Sequence, residues 1–217
     1  MKKLFTTLFV STILLTACEP SPQETSSEEP EQLVDANASE WFLKNPSSQT
    51  EIYVKKYTPD SYFDDALNTL VLVPGAGGTA AAFDEKRLSA QDLANEGFIV
   101  VTFDSSGHGQ SGGEEDQYGS IDQDGLKAVI DSLDADHIGL VTFSYGVTMG
   151  SGMLTRYPES PVEFLIDWEG PADRDDTGGC DKNRTGHMNK LADCEDETFW
   201  SQREALTFIS QISVPYL

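Results

Sequence analysis

The chain has 217 residues, enough for one domain of ordinary size with a real core. Asp and Glu total 37 against 14 Lys and Arg, a net charge of −23. A surface this acidic repels phosphate backbones and anionic membranes, so nucleic acid is excluded as an expected partner, and the charge reads as a solvated face suited to solubility or a salty habitat.

Taken in chain order, the first segment is not part of a fold. "MKK" is a short basic start, and "LFTTLFVSTILL" is an apolar run too short to span a bilayer as a mature helix. "LTAC" follows, with small residues directly before Cys18. The segment resembles a bacterial lipoprotein signal peptide (residues 1–17) whose lipobox is Leu15-Thr16-Ala17-Cys18. That resemblance implies cleavage before Cys18, acylation of its thiol and new amino group, and a membrane anchor in the bacterial cell envelope, facing outside the cytoplasm. The other reading is an ordinary secretory signal with an incidental cysteine. In a Gram-negative cell the absence of Asp after the cysteine, where Glu19 stands, implies the outer membrane; otherwise the anchor is at the cell surface. Residues 18–48 read as a disordered acidic tether, since "EPSPQETSSEEPEQ" has almost nothing to bury. "WFLKNP" is the first piece expected to touch the folded body, which is placed at residues 49–217.

"TEIYVKKY" alternates and predicts a strand. "NTLVLVPGAGG" is an apolar run ending in a glycine-rich turn, the pattern of a buried parallel strand. "AAFDEKRLSAQDLANEG" predicts a helix closed by Gly97, and "FIVVTFD" a second buried strand leading into the loop "SSGHGQSGG". "SIDQDGLKAVIDSLD" is an amphipathic helix with Leu126, Val129, Ile130 and Leu133 on one side. "HIGLVTF" is a third buried strand, "GVTMGSGMLTRYP" a helix and "VEFLIDW" a fourth strand. This alternation predicts an α/β fold, a mostly parallel sheet with helices on both faces. After Trp168 the rhythm breaks into a polar stretch to Thr198, then a helix "FWSQREALTFISQI", and "SVPYL" begins another strand.

Three motifs end predicted buried strands. Thr142-Phe143-Ser144-Tyr145-Gly146 lies between a strand and a helix, "PGAGG" (Pro74 to Gly78) ends an upstream strand, and "DSSGHGQS" (Asp104 to Ser111) follows the next one. Together they resemble the α/β-hydrolases: a nucleophile elbow, G-x-S-x-G in its usual form with Thr142 at the first glycine; an oxyanion loop; and a D-x-x-G-x-G-x-S loop. The resemblance covers roughly Thr50 to Leu217. It implies that Ser144 is a nucleophile and that the backbone N–H groups of Ala76 and Tyr145 hold an oxyanion, with Gly77 as the other choice for the first donor. A serine capping a helix is the plainer reading of the pentapeptide alone.

The resemblance also implies an acid and a histidine, in that order, after Ser144. The usual places lie after the seventh and eighth strands, and "ISVPYL" reads as the lead-in to the seventh. The chain is therefore expected to be a fragment cut before both. Of the three histidines, His108 belongs to the motif loop, His137 opens the strand leading to Ser144 at its far end, and His187 lies in the polar insertion. Asp167 is a secondary acid candidate or a strand-end cap for the turn into "WEGP".

The insertion after strand four, about 169–212, sits where the resemblance puts a cap. It contains Cys180 and Cys194, which read as a disulfide in an exported protein, or as metal ligands with His187. "DRDDTGG" has Asp173, Asp175 and a sixth-position glycine as a calcium loop would, but Arg184 stands at the twelfth position, so the carboxylates read as cap surface with calcium as the rival. Trp168 and Glu169 are placed near the mouth of the site. The expected function is a lipid-anchored serine hydrolase of small-molecule or peptide esters or amides, needing no cofactor; the alternative is an inactive surface lipoprotein binding a ligand in the same pocket.

Overall fold

The computed structural model describes residues 38–60, 67–84, 89–177, 180 and 192–217, all within one compact unit, Asp35–Leu217. The signal segment, Cys18, His187 and Arg184 lie outside the described residues.

Six strands form one sheet: β1 (Ala38–Lys44), β2 (Glu51–Tyr57), β3 (Thr69–Val73), β4 (Ile99–Phe103), β5 (Ile138–Phe143) and β6 (Val162–Trp168), in the order β1-β2-β4-β3-β5-β6. β1 and β2 are antiparallel to their neighbours, and β4, β3, β5 and β6 run parallel. Every residue of β3 is buried, as its unbroken apolar run requires of a strand covered on both faces. The expectation of a mostly parallel α/β sheet holds.

Helices cover both faces. On one, α2 (Ser120–Asp131) and α3 (Gly146–Arg156) bury Leu126, Val129, Ile130, Met149 and Met153 against Val71, Val73, Val101 and Leu140. On the other, α1 (Ala90–Asn95) and a short 3-10 helix, Ala80–Phe83, close over Tyr57, Leu70, Leu72 and Val100. Of the strand expected at "SVPYL" the structure shows an isolated parallel bridge between Tyr216 and Leu165 of β6: Leu165 N–H donates to Pro215 O at 2.9 Å and Leu217 N–H to Leu165 O at 3.0 Å.

Two expectations are corrected. The folded body includes β1, Ala38–Lys44, inside the stretch read as tether to residue 48. β1 pairs along its whole length with β2, and Trp41 and Leu43 reach the main core while Phe42 stays half exposed against the Tyr53 ring, 5.6 Å away. The turn that follows is built on buried Asn45, whose side chain accepts from Ser47 N–H (2.9 Å) and donates to Ile121 O (2.9 Å). The helix expected over "FWSQREALTFISQI" is two short helices, α4 (Glu197–Trp200) and α5 (Ala205–Ile209). Between them Arg203 turns inward to Asp116, as described below.

Candidate active site

β5 delivers the chain to Ser144 as a buried strand, and α3 begins two residues later. The turn between them is tight: Ser144 has φ +50, a left-handed value that a non-glycine residue adopts at a cost of order 1–3 kcal/mol. Its N–H donates to Trp168 O at 2.9 Å and its carbonyl accepts from Val147 N–H at 3.2 Å, so both sides of the strained residue are tied down. The side chain stands exposed at the start of α3, where the helix dipole favours negative charge.

Small residues make this approach feasible. A Cβ on Gly146 would fall 2.6 Å from Pro74 O, and one on Gly75 would fall 3.1 Å from both Phe143 O and Ser144 Cβ. Thr142, in the place of the usual first glycine, is fully buried, and its hydroxyl donates to Ile166 O at 3.2 Å. Gly150 makes the room for it: a Cβ there would lie 2.6 Å from Thr142 Cγ2.

An open cavity of about 480 Å³ lies over the serine, lined by Ala76, Ser144, Tyr145, Glu169, Pro171 and Asp176 among others. Both expected oxyanion donors thus share the cavity with Ser144, whereas Gly77 does not line it. Glu169 also sits at a left-handed φ, +59, directly after β6. Trp168 is half exposed and stacks on Phe143, with ring centroids 6.4 Å apart.

The loop after β4 is structural. Asp104 accepts from Ala80 N–H and Gln110 N–H, both at 2.7 Å, and Ser111 ties Asp104 O to Tyr53 N–H. Buried Asp122 accepts from Ser106 N–H (3.0 Å) and Tyr118 N–H (2.9 Å); its burial holds the carboxyl above the usual carboxylate range despite these bonds.

Among the described residues no hydrogen bond reaches Ser144 Oγ. His108 lies 3.8 Å from Glu115. His137 stands at the opposite end of β5, paired with Glu163 at 2.7 Å, an exposed contact that raises its pKa. Asp167 accepts from Gly170 N–H (3.0 Å), capping the turn after β6, and from Tyr216 Oη (2.9 Å). Burial first, then that bond to Asp167, pushes the Tyr216 phenol up to about 12.

Cys180 and Cys194 are joined in a disulfide, with Cα atoms 5.5 Å apart. Asp173 Oδ1 accepts from Asp175 N–H (2.9 Å) and Asp176 N–H (3.0 Å), a local turn, and no three metal-ligating side chains cluster among the described residues. Two arginines unremarked in the sequence organise this region. Arg174 binds Glu204 through Nε (2.7 Å) and Glu197 through Nη1 (2.9 Å), and lies 5.5 Å over the ring of fully buried Trp200. Arg203 donates to Asp116 Oδ1 at 2.8 Å and to Asp116 O, and its carbonyl accepts from Tyr145 Oη at 2.9 Å. Arg174 lies within "DRDDTGG" but is not one of its candidate ligands, and Arg203 belongs to no motif; only their rarity in an acidic chain marks them. Reducing the disulfide reopens a loop with a sequence separation of 14, and is expected to lower stability by about 3 kcal/mol, read as a lower urea midpoint with phosphine reductant than without.

Comparison with known proteins follows the same outline. Residues 64–164 match the family described as serine aminopeptidase, S33. A search of curated proteins finds no match. Among solved structures, an esterase of Pyrococcus furiosus shares 20% identity over 82% of this chain and 68% of its own, with a TM-score of 0.62. A thioesterase domain from the curacin biosynthetic pathway shares 24% identity over 63% of this chain and 45% of its own, with a TM-score of 0.51. A carboxylesterase structure from the thaumarchaeon Nitrososphaera gargenis gives 24%, 61%, 46% and 0.50. The chain thus spans less than half the length of the second and third. At these identities the likeness is one of fold: the chain has the α/β-hydrolase fold, and the family match is confined to residues 64–164.

Proposed function

We propose that the protein is an exported, lipid-anchored serine hydrolase that cleaves an ester or amide bond through an acyl-enzyme on Ser144. The observation that carries this reading is the strained Ser144 at φ +50 between β5 and α3, open to a cavity it shares with Ala76 and Tyr145. Strain of this kind persists where surrounding structure holds a side chain in place for chemistry. Ser144 Oγ attacks the substrate carbonyl, and the N–H groups of Ala76 and Tyr145 receive the oxyanion. The serine proton passes to a base and then to the leaving alcohol or amine, and water cleaves the acyl-enzyme. That base has to come from outside the described residues. Export and anchoring rest on the lipobox ending at Cys18.

One experiment tests the whole reading. The protein is expressed from its complete reading frame, cell envelopes are treated with a fluorophosphonate probe, and the labelled residue is mapped. Labelling at Ser144 in the membrane fraction, absent from Ser144→Ala and shifted to the soluble fraction by Cys18→Ser, is the expected result. A folded protein that takes no label refutes the hydrolase and leaves the inactive ligand-binding reading. Label that stays in the membrane fraction without Cys18 refutes the lipid anchor.

A further inference from the structure

We infer that Tyr118 is a positioning residue for the oxyanion site, fixing the direction of the Ala76 N–H by holding the Gly75 carbonyl; the inference rests on the serine hydrolase reading above. Tyr118 lies in the loop before α2 and is 2% exposed. Its hydroxyl donates to Gly75 O, which also accepts from Gly78 N–H at 2.8 Å. Gly75 C=O and Ala76 N–H belong to one peptide unit, and among the described residues no peptide bond is cis. In a planar trans unit the two groups point in opposite directions. Drawing the carbonyl toward Tyr118 therefore turns the N–H the other way, to the side where Ala76 lines the cavity with Ser144. The Gly78 bond cannot do this alone, because Gly78 belongs to the same loop and moves with it.

Two further observations point to the same role. The Tyr118 ring packs edge-on against Tyr145, with centroids 5.4 Å apart and planes at 72°, so one side chain touches Tyr145 and the carbonyl of the peptide unit that carries the Ala76 N–H. Its backbone is also strained: Gln117 and Tyr118 have φ of +54 and +63, consecutive left-handed non-glycine residues. The strain is held by Asp122, which accepts Tyr118 N–H, by Gln123 Nε2, which donates to Tyr118 O at 3.1 Å, and by Arg203 on Asp116. Burial, then the nearby Asp122 charge, raises the Tyr118 phenol, which stays a donor at any working pH. A bond to the carbonyl also polarises the peptide unit and strengthens its N–H as a donor.

The test is Tyr118→Phe in the full-length protein, which keeps the ring and removes only the hydroxyl. Steady-state hydrolysis of a p-nitrophenyl ester and the rate of fluorophosphonate labelling are measured. We expect kcat to fall about tenfold, less than the ~10²–10³ of losing an oxyanion donor outright. KM stays within about twofold and labelling slows in step. Tyr157→Phe, which removes a 2.6 Å bond to Asp124 away from the cavity, is the control and keeps the wild-type kcat. Tyr118→fluorotyrosine is the second variant: it keeps the shape and strengthens the donor, so kcat holds or rises. An unchanged kcat in Tyr118→Phe, a loss expressed in KM, an equal loss in Tyr157→Phe, or a fall with fluorotyrosine overturns the inference. A wild-type protein that takes no fluorophosphonate overturns the hydrolase reading itself, an outcome distinct from these.

Discussion

Ser144→Ala is expected to lower kcat on small activated esters by up to about a million-fold, the scale seen when a serine nucleophile is removed from a working triad. The substitution deletes one oxygen atom from an exposed side chain and touches no core contact. Stability should therefore stay the same or rise slightly, since the φ of +50 at Ser144 is set by its neighbours and alanine tolerates it no worse than serine. The pairing of lost activity with an unchanged urea midpoint identifies a catalytic group. The Ala76 and Tyr145 N–H groups survive in this variant, so a residual rate of about 10³–10⁴ over water is expected from oxyanion binding alone. If Ser144→Ala hydrolyses the ester at the wild-type rate, the nucleophile lies elsewhere, and the strain at Ser144 needs another explanation.

The parts of the fold legible in the sequence were those dictated by local pattern. β3, β4 and β5 are apolar runs bounded by glycine or polar turns, and α2 carries its apolar residues at helical spacing. β1 was hidden because it is an edge strand in an acidic, polar context, with Trp41 and Leu43 turned to one core and the small Ala38 to the other. The break between α4 and α5 was hidden for a different reason: "SQRE" has good helix formers, and at the interruption Arg203 reaches Asp116, 87 residues away. Local propensity cannot anticipate a long-range ion pair.

The candidate site divides in the same way. That Ser144, Ala76 and Tyr145 meet at one cavity was readable because strained turns and close backbone approaches demand small residues at fixed spacing. Thr142 departed from that spacing, and its compensation, Gly150, lies one helical step beyond the motif. The sequence left Asp167 between acid and turn cap; in the fold its oxygens go to Gly170 N–H and Tyr216. Tyr118 gave no signal, since its hydroxyl finds Gly75 across 43 residues.

Gly146→Ala is expected to damage both fold and activity, because one glycine spaces the elbow from the oxyanion loop. A Cβ at this position would lie 2.6 Å from Pro74 O and 2.9 Å from Val73 O. Both atoms are backbone, at the end of fully buried β3, so neither can swing aside as a flexible side chain would. The backbone of Gly146 is not left-handed, so the obstacle is space rather than torsion. Either α3 must lift off β3 or the Pro74–Gly78 loop must retreat, and overpacking of this kind costs roughly 1–3 kcal/mol. Both movements change the distance between Ala76 and Ser144. A displacement near 1 Å at a reacting centre costs on the order of a hundredfold in rate. Gly146→Ala should therefore show a lower urea midpoint and a kcat/KM reduced about a hundredfold, while Ser144 remains present and slowly labelled by the fluorophosphonate. Wild-type values for both midpoint and kcat/KM would mean that the contact between α3 and β3 is looser than the structure shows, and that the oxyanion donors are not set by it.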